Sequence, residues 1–116
     1  MIAYETRLGK INISDEYLQT IIGEAVTSCY GVSGMVASGS KQKIFDLLTK
    51  KDSLNKGIII RGNADSIIVE LHIIVLYGMN INALAKSIVN KVQYTVKELT
   101  GINVDKVIVK VDGIKE

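Results

Sequence analysis

The chain holds one cysteine, Cys29, and one histidine, His72, and these are the residues whose intrinsic chemistry suits nucleophilic attack or proton transfer near neutral pH. Each is alone of its kind. Cys29 falls on an apolar stripe at three- and four-residue steps, where a thiol behaves as a small hydrophobe rather than a nucleophile. His72 stands two residues after Glu70, so on an extended strand the two side chains share a face and a His/Glu pair is within reach. A metal ion needs more ligands than these two, and a single cysteine excludes a thiolate cage. The sequence therefore assigns no catalytic, metal-ligating or cofactor-binding residue, and no cofactor is expected.

Two further patterns concern anions. Gly34 to Lys41 carries the small residues of a phosphate-binding loop, but that loop needs Lys directly after its second Gly and a long helix behind it. The order here is Gly39-Ser40-Lys41, which misplaces both the lysine and the hydroxyl, so a turn is the better reading. Lys41, Lys43, Lys50, Lys51, Lys56 and Arg61 face only Asp46 and Asp52 in the same stretch, which makes this segment a candidate anion-binding edge for RNA or anionic lipid. Base stacking needs interleaved aromatics, and Phe45 alone is on offer. Nucleic acid is disfavoured as a partner. A small RNA- or anion-binding domain using Lys41 to Arg61 is the alternative function, marked by affinity that falls steeply with salt.

The elements that must position these residues are built from an aliphatic sequence. Of 116 residues 47% are hydrophobic but only 5% aromatic, with no Trp, so the core is Ile, Val, Leu and Ala, enough for one domain over 1–116. The lone cysteine fits a reducing compartment, and the first residues lack the basic and apolar runs of a secretory signal, so a cytoplasmic protein is expected. The most apolar stretch, Ile67 to Met79, contains Glu70 and His72 and falls short of the roughly 18 apolar residues that a bilayer span needs. No direct membrane span is expected.

Ser14-Asp15-Glu16 is a helix start, and Leu18, Ile21, Ile22, Ala25, Val26 and Cys29 form one buried stripe that Gly31 ends. Lys10 to Ile13 before it and Val32 to Ala37 after it are strands. Ile44, Leu47 and Leu48 mark a short helix. Gly57 to Arg61 and Ile67 to Tyr77 form a hairpin, with Ile67, Val69, Leu71, Ile73, Val75 and Tyr77 facing the core. Asn80 or Asn82 caps a long helix whose stripe is Leu84, Ala85, Ile88, Val89, Val92, Val96 and Leu99, with Gly101 past its end. Val104 to Val111 is the last strand. The fold class is α+β in two layers, with both long helices on one face of a four- or five-stranded mixed sheet, in the order β-α-β-short α-β-β-α-β.

One face of this sheet is harder to explain. Ile59, Ile68, Ile74, Leu76 and Ile108 lie on the side away from the helices, where strand residues meeting water should be polar. Either the Lys41 to Lys56 segment folds over them or another subunit does; on the second reading they form a candidate self-association face, and a homo-oligomer is expected.

The segments Gly9-Lys10-Ile11-Asn12-Ile13-Ser14, Ile21-Ile22-Gly23-Glu24-Ala25 and Tyr30-Gly31-Val32-Ser33-Gly34-Met35 resemble the opening block of the alkaline shock protein (general stress protein) family. Tyr77-Gly78-Met79-Asn80-Ile81, Thr100-Gly101-Ile102-Asn103-Val104 and Val107 to Gly113 resemble its closing half. Gly23 departs from the pattern, which favours Ala there. Without long charged tails, the chain is most similar to the short form of Gram-positive bacteria, whose members sit beside a dihydroxyacetone-kinase-like fatty acid kinase. The resemblance implies a non-catalytic adaptor or scaffold in cell-envelope stress, acting by protein contacts with that kinase or with a membrane-anchored partner, and reaching the membrane only through such a partner.

Overall fold

The computed structural model describes residues 2–35, 57–63 and 65–116. It opens with a hairpin of β1 (Ile2–Thr6) and β2 (Gly9–Ile13), paired antiparallel from Ile2↔Ile13 to Thr6↔Gly9 as a two-stranded sheet of its own. The first strand escapes sequence analysis because its residues lack clean alternation; its partner matches the Lys10 to Ile13 strand. Ser14 then caps α1 (Asp15–Thr27), its hydroxyl accepting from the Tyr17 amide at 3.1 Å. Leu18, Ile21, Ile22, Ala25 and Val26 are buried as their spacing requires, and Cys29 beyond the helix is partly buried against the core.

The main sheet is organised around β5 (Ser66–Leu76). β4 (Ile58–Asn63) pairs antiparallel with its first half and β3 (Val32–Met35) with its second, so both occupy the same edge end to end. The β4–β5 turn is tighter than its Gly-Asn-Ala-Asp-Ser sequence implies, because Asn63 and Ser66 are already paired. Gly62 makes this approach feasible: its φ is 115°, and a Cβ there would lie 2.4 Å from the Ser66 carbonyl oxygen. On the other edge runs β6 (Val104–Lys115), parallel to β5 and longer than its valine alternation alone marks out. A parallel neighbour requires a crossover, and α2 (Ile81–Thr100) supplies it. Asn80 caps α2 by accepting from the Ala83 amide at 3.1 Å, and Gly101 ends it in the left-handed region at φ 78°.

Both helices cover the same face. Ile67, Val69, Leu71, Ile73 and Val75 of β5 join Leu18, Ile22 and Val26 of α1 and Leu84, Ile88, Val92 and Val96 of α2 in one buried cluster. The fold is thus the expected α+β two-layer arrangement with a mixed sheet. Several core assignments need correction, and Ala85 and Val89 of α2 are only half-buried. Tyr77 lies past the end of β5 and is 73% exposed, and Leu99 is 57% exposed while Thr100 takes the last buried place on α2. Thr100 can do so because its hydroxyl donates to the Val96 carbonyl at 2.7 Å and accepts from the Ile102 amide at 3.2 Å, which satisfies its polar atom. The short helix expected around Ile44, Leu47 and Leu48 lies outside the described residues.

Candidate functional site

The alternation that sends the odd residues of β5 to the core sends Ile68, Glu70, His72, Ile74 and Leu76 to the opposite face, away from α1 and α2. Its register with β4 places Ile59 beside Glu70 and Arg61 beside Ile68; its register with β6 places Ile108 beside Glu70 and Lys110 beside His72. β6 carries an extra residue between its pairings to Ile73 and Ile74, and that residue is Asp112. The result is a charged cluster within a rim of isoleucines.

At its centre His72 bridges two carboxylates. Nε2 lies 2.8 Å from Glu70 Oε2 and Nδ1 lies 2.7 Å from Asp112 Oδ2. Ionised carboxylates only accept, so both ring nitrogens must donate, and only the imidazolium can do that. Burial by itself pushes the His72 pKa down, but the bonds to Glu70 and then Asp112 outweigh it and the net direction is up. The same His72 bond is the largest influence on Glu70, whose pKa is lowered despite desolvation, with Lys110 and Arg61 adding to the effect. Lys110 Nζ and Arg61 Nη2 lie 3.8 and 4.0 Å from the other Glu70 oxygen. The side chains of Glu70 and His72 are only 11% and 8% exposed, although they lie on the outer face of the sheet.

The arrangement consumes its own functional groups. The two carboxylates address different ring nitrogens, so their lone pairs do not converge on a point, and among the described residues no group of three His, Cys, Asp or Glu could hold a metal. The Cys29 thiol donates within its own chain segment to the Ala25 carbonyl at 3.5 Å. An open cavity of about 360 Å³ along α2 is lined by Asn82, Ala85, Lys86, Val89 and Asn90, none of which belongs to the cluster.

The His72–Glu70 pair is therefore present as its spacing implies, but the sequence alone did not bring in Asp112, which is 40 residues away and arrives through the parallel β5–β6 register. The signal available was the matched alternation of Glu70/His72 on one strand and Lys110/Asp112 on another. Ile59, Ile68, Ile74, Leu76 and Ile108 do share the outer face, each partly buried. Of the candidate anion-binding edge, Arg61 is turned toward Glu70, while Lys41, Lys43, Lys50, Lys51 and Lys56 lie outside the described residues. Of the loop from Gly34 to Lys41, Gly34 and Met35 belong to β3 and the rest lies outside the described residues. Among the described residues no helix is long and apolar enough to cross a membrane.

Comparison with known proteins places these features. The family model of the alkaline shock proteins, described as having a cell envelope-related function, matches residues 3–116. The protein YloU of Bacillus subtilis (strain 168), itself uncharacterized, is 36% identical over 117 residues, covering 98% of this chain and 95% of its own. A stress response regulator gls24 homolog of Streptococcus pyogenes serotype M3 is 28% identical over 107 residues, covering 92% of this chain and 59% of its own length. Among solved structures, the MamM CTD in its zinc form superposes with a TM-score of 0.51 over 87% of each chain, at 18% identity. That likeness concerns the fold alone.

Proposed function

Because this chain belongs to the alkaline shock protein family, described as having a cell envelope-related function, and has relatives named as stress response regulators, we propose that it is a non-catalytic, homo-oligomeric adaptor that works by protein contact. The whole of residues 1–116 acts as one domain. Its docking surface is the outer face of the sheet, where Ile59, Ile68, Ile74, Leu76 and Ile108 surround the Glu70–His72–Asp112 cluster. The observation that carries this reading is that the charges at the centre of the face already neutralise one another. A face of paired charges and partly buried isoleucines can be desolvated against a protein without stranding an ion.

The same pairing speaks against enzymatic work. A general base needs a free lone pair, and both nitrogens of His72 are taken. The client of such an adaptor is the fatty acid kinase or the membrane-anchored protein that the family resemblance implies, and the chain reaches the envelope through it from the cytoplasm. The test compares membrane fractions from cells producing the wild type, Ile74→Asp or Leu99→Asp. The wild type and the Leu99 variant should co-sediment with the envelope through a protease-sensitive partner, and folded Ile74→Asp should not. Equal retention of all three would refute the docking face.

A further inference from the structure

Among the described residues β6 is the longest strand, Val104–Lys115, and pairs with β5 alone, and none of those residues pairs with the backbone along its other edge. Natural edges of this length are covered or blocked. The side chains along it are also incompletely covered: Val107, Val109 and Val111 lie on the core side yet are only partly buried, as is Ile108 on the outer side.

The two irregularities in the β5–β6 ladder leave a regular run from Lys106 to Val111, flanked by Asp105 and Asp112. Its charges distinguish one self-pairing register from another. An antiparallel pairing of two copies centred on Ile108 sets Lys106 against Lys110 of the other copy, twice. Centring on Lys110 opposes that lysine to itself and sets Ile108 against Asp112. Centring on Val109 sets Lys106 against Asp112 at both ends, Val107 against Val111, and Val109 against itself, with every pair on a common face. Centring on Val111 fails for another reason, since the irregularity at Asp112 sends Gly113 to the outer face and would oppose it to the core-side Val109.

We infer that the protein dimerises with a second copy of itself through the β6 edge, antiparallel about a twofold axis at Val109, with two Lys106–Asp112 ion pairs selecting the register. The two main sheets become one continuous sheet, the exposed sides of the core valines cover one another, and the two outer faces stand side by side as a bivalent platform. This goes beyond the adaptor reading in naming where the copies meet, and it leaves the outer face to the client.

Sedimentation equilibrium over a hundredfold concentration range tests it on the wild type and the variants below, each checked for folding by circular dichroism. Lys106→Glu and Asp112→Lys each place like charges at both ends and should weaken dimerisation roughly tenfold or more. Mixing the two restores opposite charges at both ends of a heterodimer, so the mixture should dimerise like the wild type. Because Asp112 also holds His72, a second measurement is independent of it: in a Cys29→Ser background, Val109→Cys should form a disulfide-linked dimer on mild oxidation and Val107→Cys should not. A wild type that is monomeric throughout overturns the proposal. So does a dimer that ignores Lys106→Glu, or one that Ile74→Asp abolishes; the last would put self-association on the outer face and leave the adaptor reading standing. Cross-linking no faster at Val109 than at Val107 overturns it as well.

Discussion

Val92 and Leu99 lie on the same helix and both fit its apolar periodicity, yet the structure buries Val92 completely and leaves Leu99 57% exposed. Changing each to Asp separates the two. At Val92 the variant gives up roughly 1.5–3 kcal/mol of apolar burial. It also asks a carboxylate to enter the cluster of Ile88, Val96 and the core side of β5, where there is no partner, at a further cost of several kcal/mol. Even if the acid takes up a proton to escape the charge penalty, the sum is on the order of 5 kcal/mol, a large part of the 5–15 kcal/mol available to a domain. Leu99→Asp touches an exposed position and should stay within about 1 kcal/mol. Urea unfolding followed by circular dichroism reads both. With a slope of about 2 kcal/mol per molar, Val92→Ala, at about 2 kcal/mol, should lower the midpoint by about 1 M, and Val92→Asp should leave little folded protein at all. If Leu99→Asp is as damaging as Val92→Asp, the helix is rotated from its described setting and the two-layer packing argument fails.

The His72 bridge has a definite pH signature. His72 has its folded pKa raised above 6.5, so its contribution is complete below that value and is lost as pH rises through the folded value; Glu70 is lowered from 4.5, so its contribution is present above that value and is lost as pH falls through the folded one. The stability difference between wild type and His72→Gln should therefore be greatest between these two values and shrink as pH rises through the raised His72 value, and a difference that does not change with pH would mean the bridge is not ionic. Gly62→Ala should destabilise by about 2 kcal/mol or more in chemical denaturation, because both its φ of 115° and the Ser66 carbonyl oppose a side chain; a neutral result would show that the β4–β5 turn is wider than described. Cys29→Ala should cost no more than about 1 kcal/mol and leave envelope association intact, and loss of that association in a folded variant would give the thiol a role.

The sequence by itself determined the elements whose residues carry their own local signal. Ser14 and Asn80 cap helices because a short polar side chain can satisfy a free amide three residues on, and Gly101 ends one because only glycine enters the left-handed region without strain. The alternation of Ile67 to Val75 fixed which face of β5 meets the helices, and the family blocks at either end of the chain could be read from their residues. It also determined that Glu70 and His72 share a face. What tertiary structure decided depends on register between distant segments, which no local pattern encodes. Only the parallel pairing of β5 with β6, offset at Asp112, carries that carboxylate to within 2.7 Å of His72. Only the packing of α2 against the sheet tells Thr100, whose hydroxyl is satisfied within the helix turn, from Leu99, which is left facing water. A side chain's identity settles what it can bond to, but its partner is set by where the rest of the chain puts the strands.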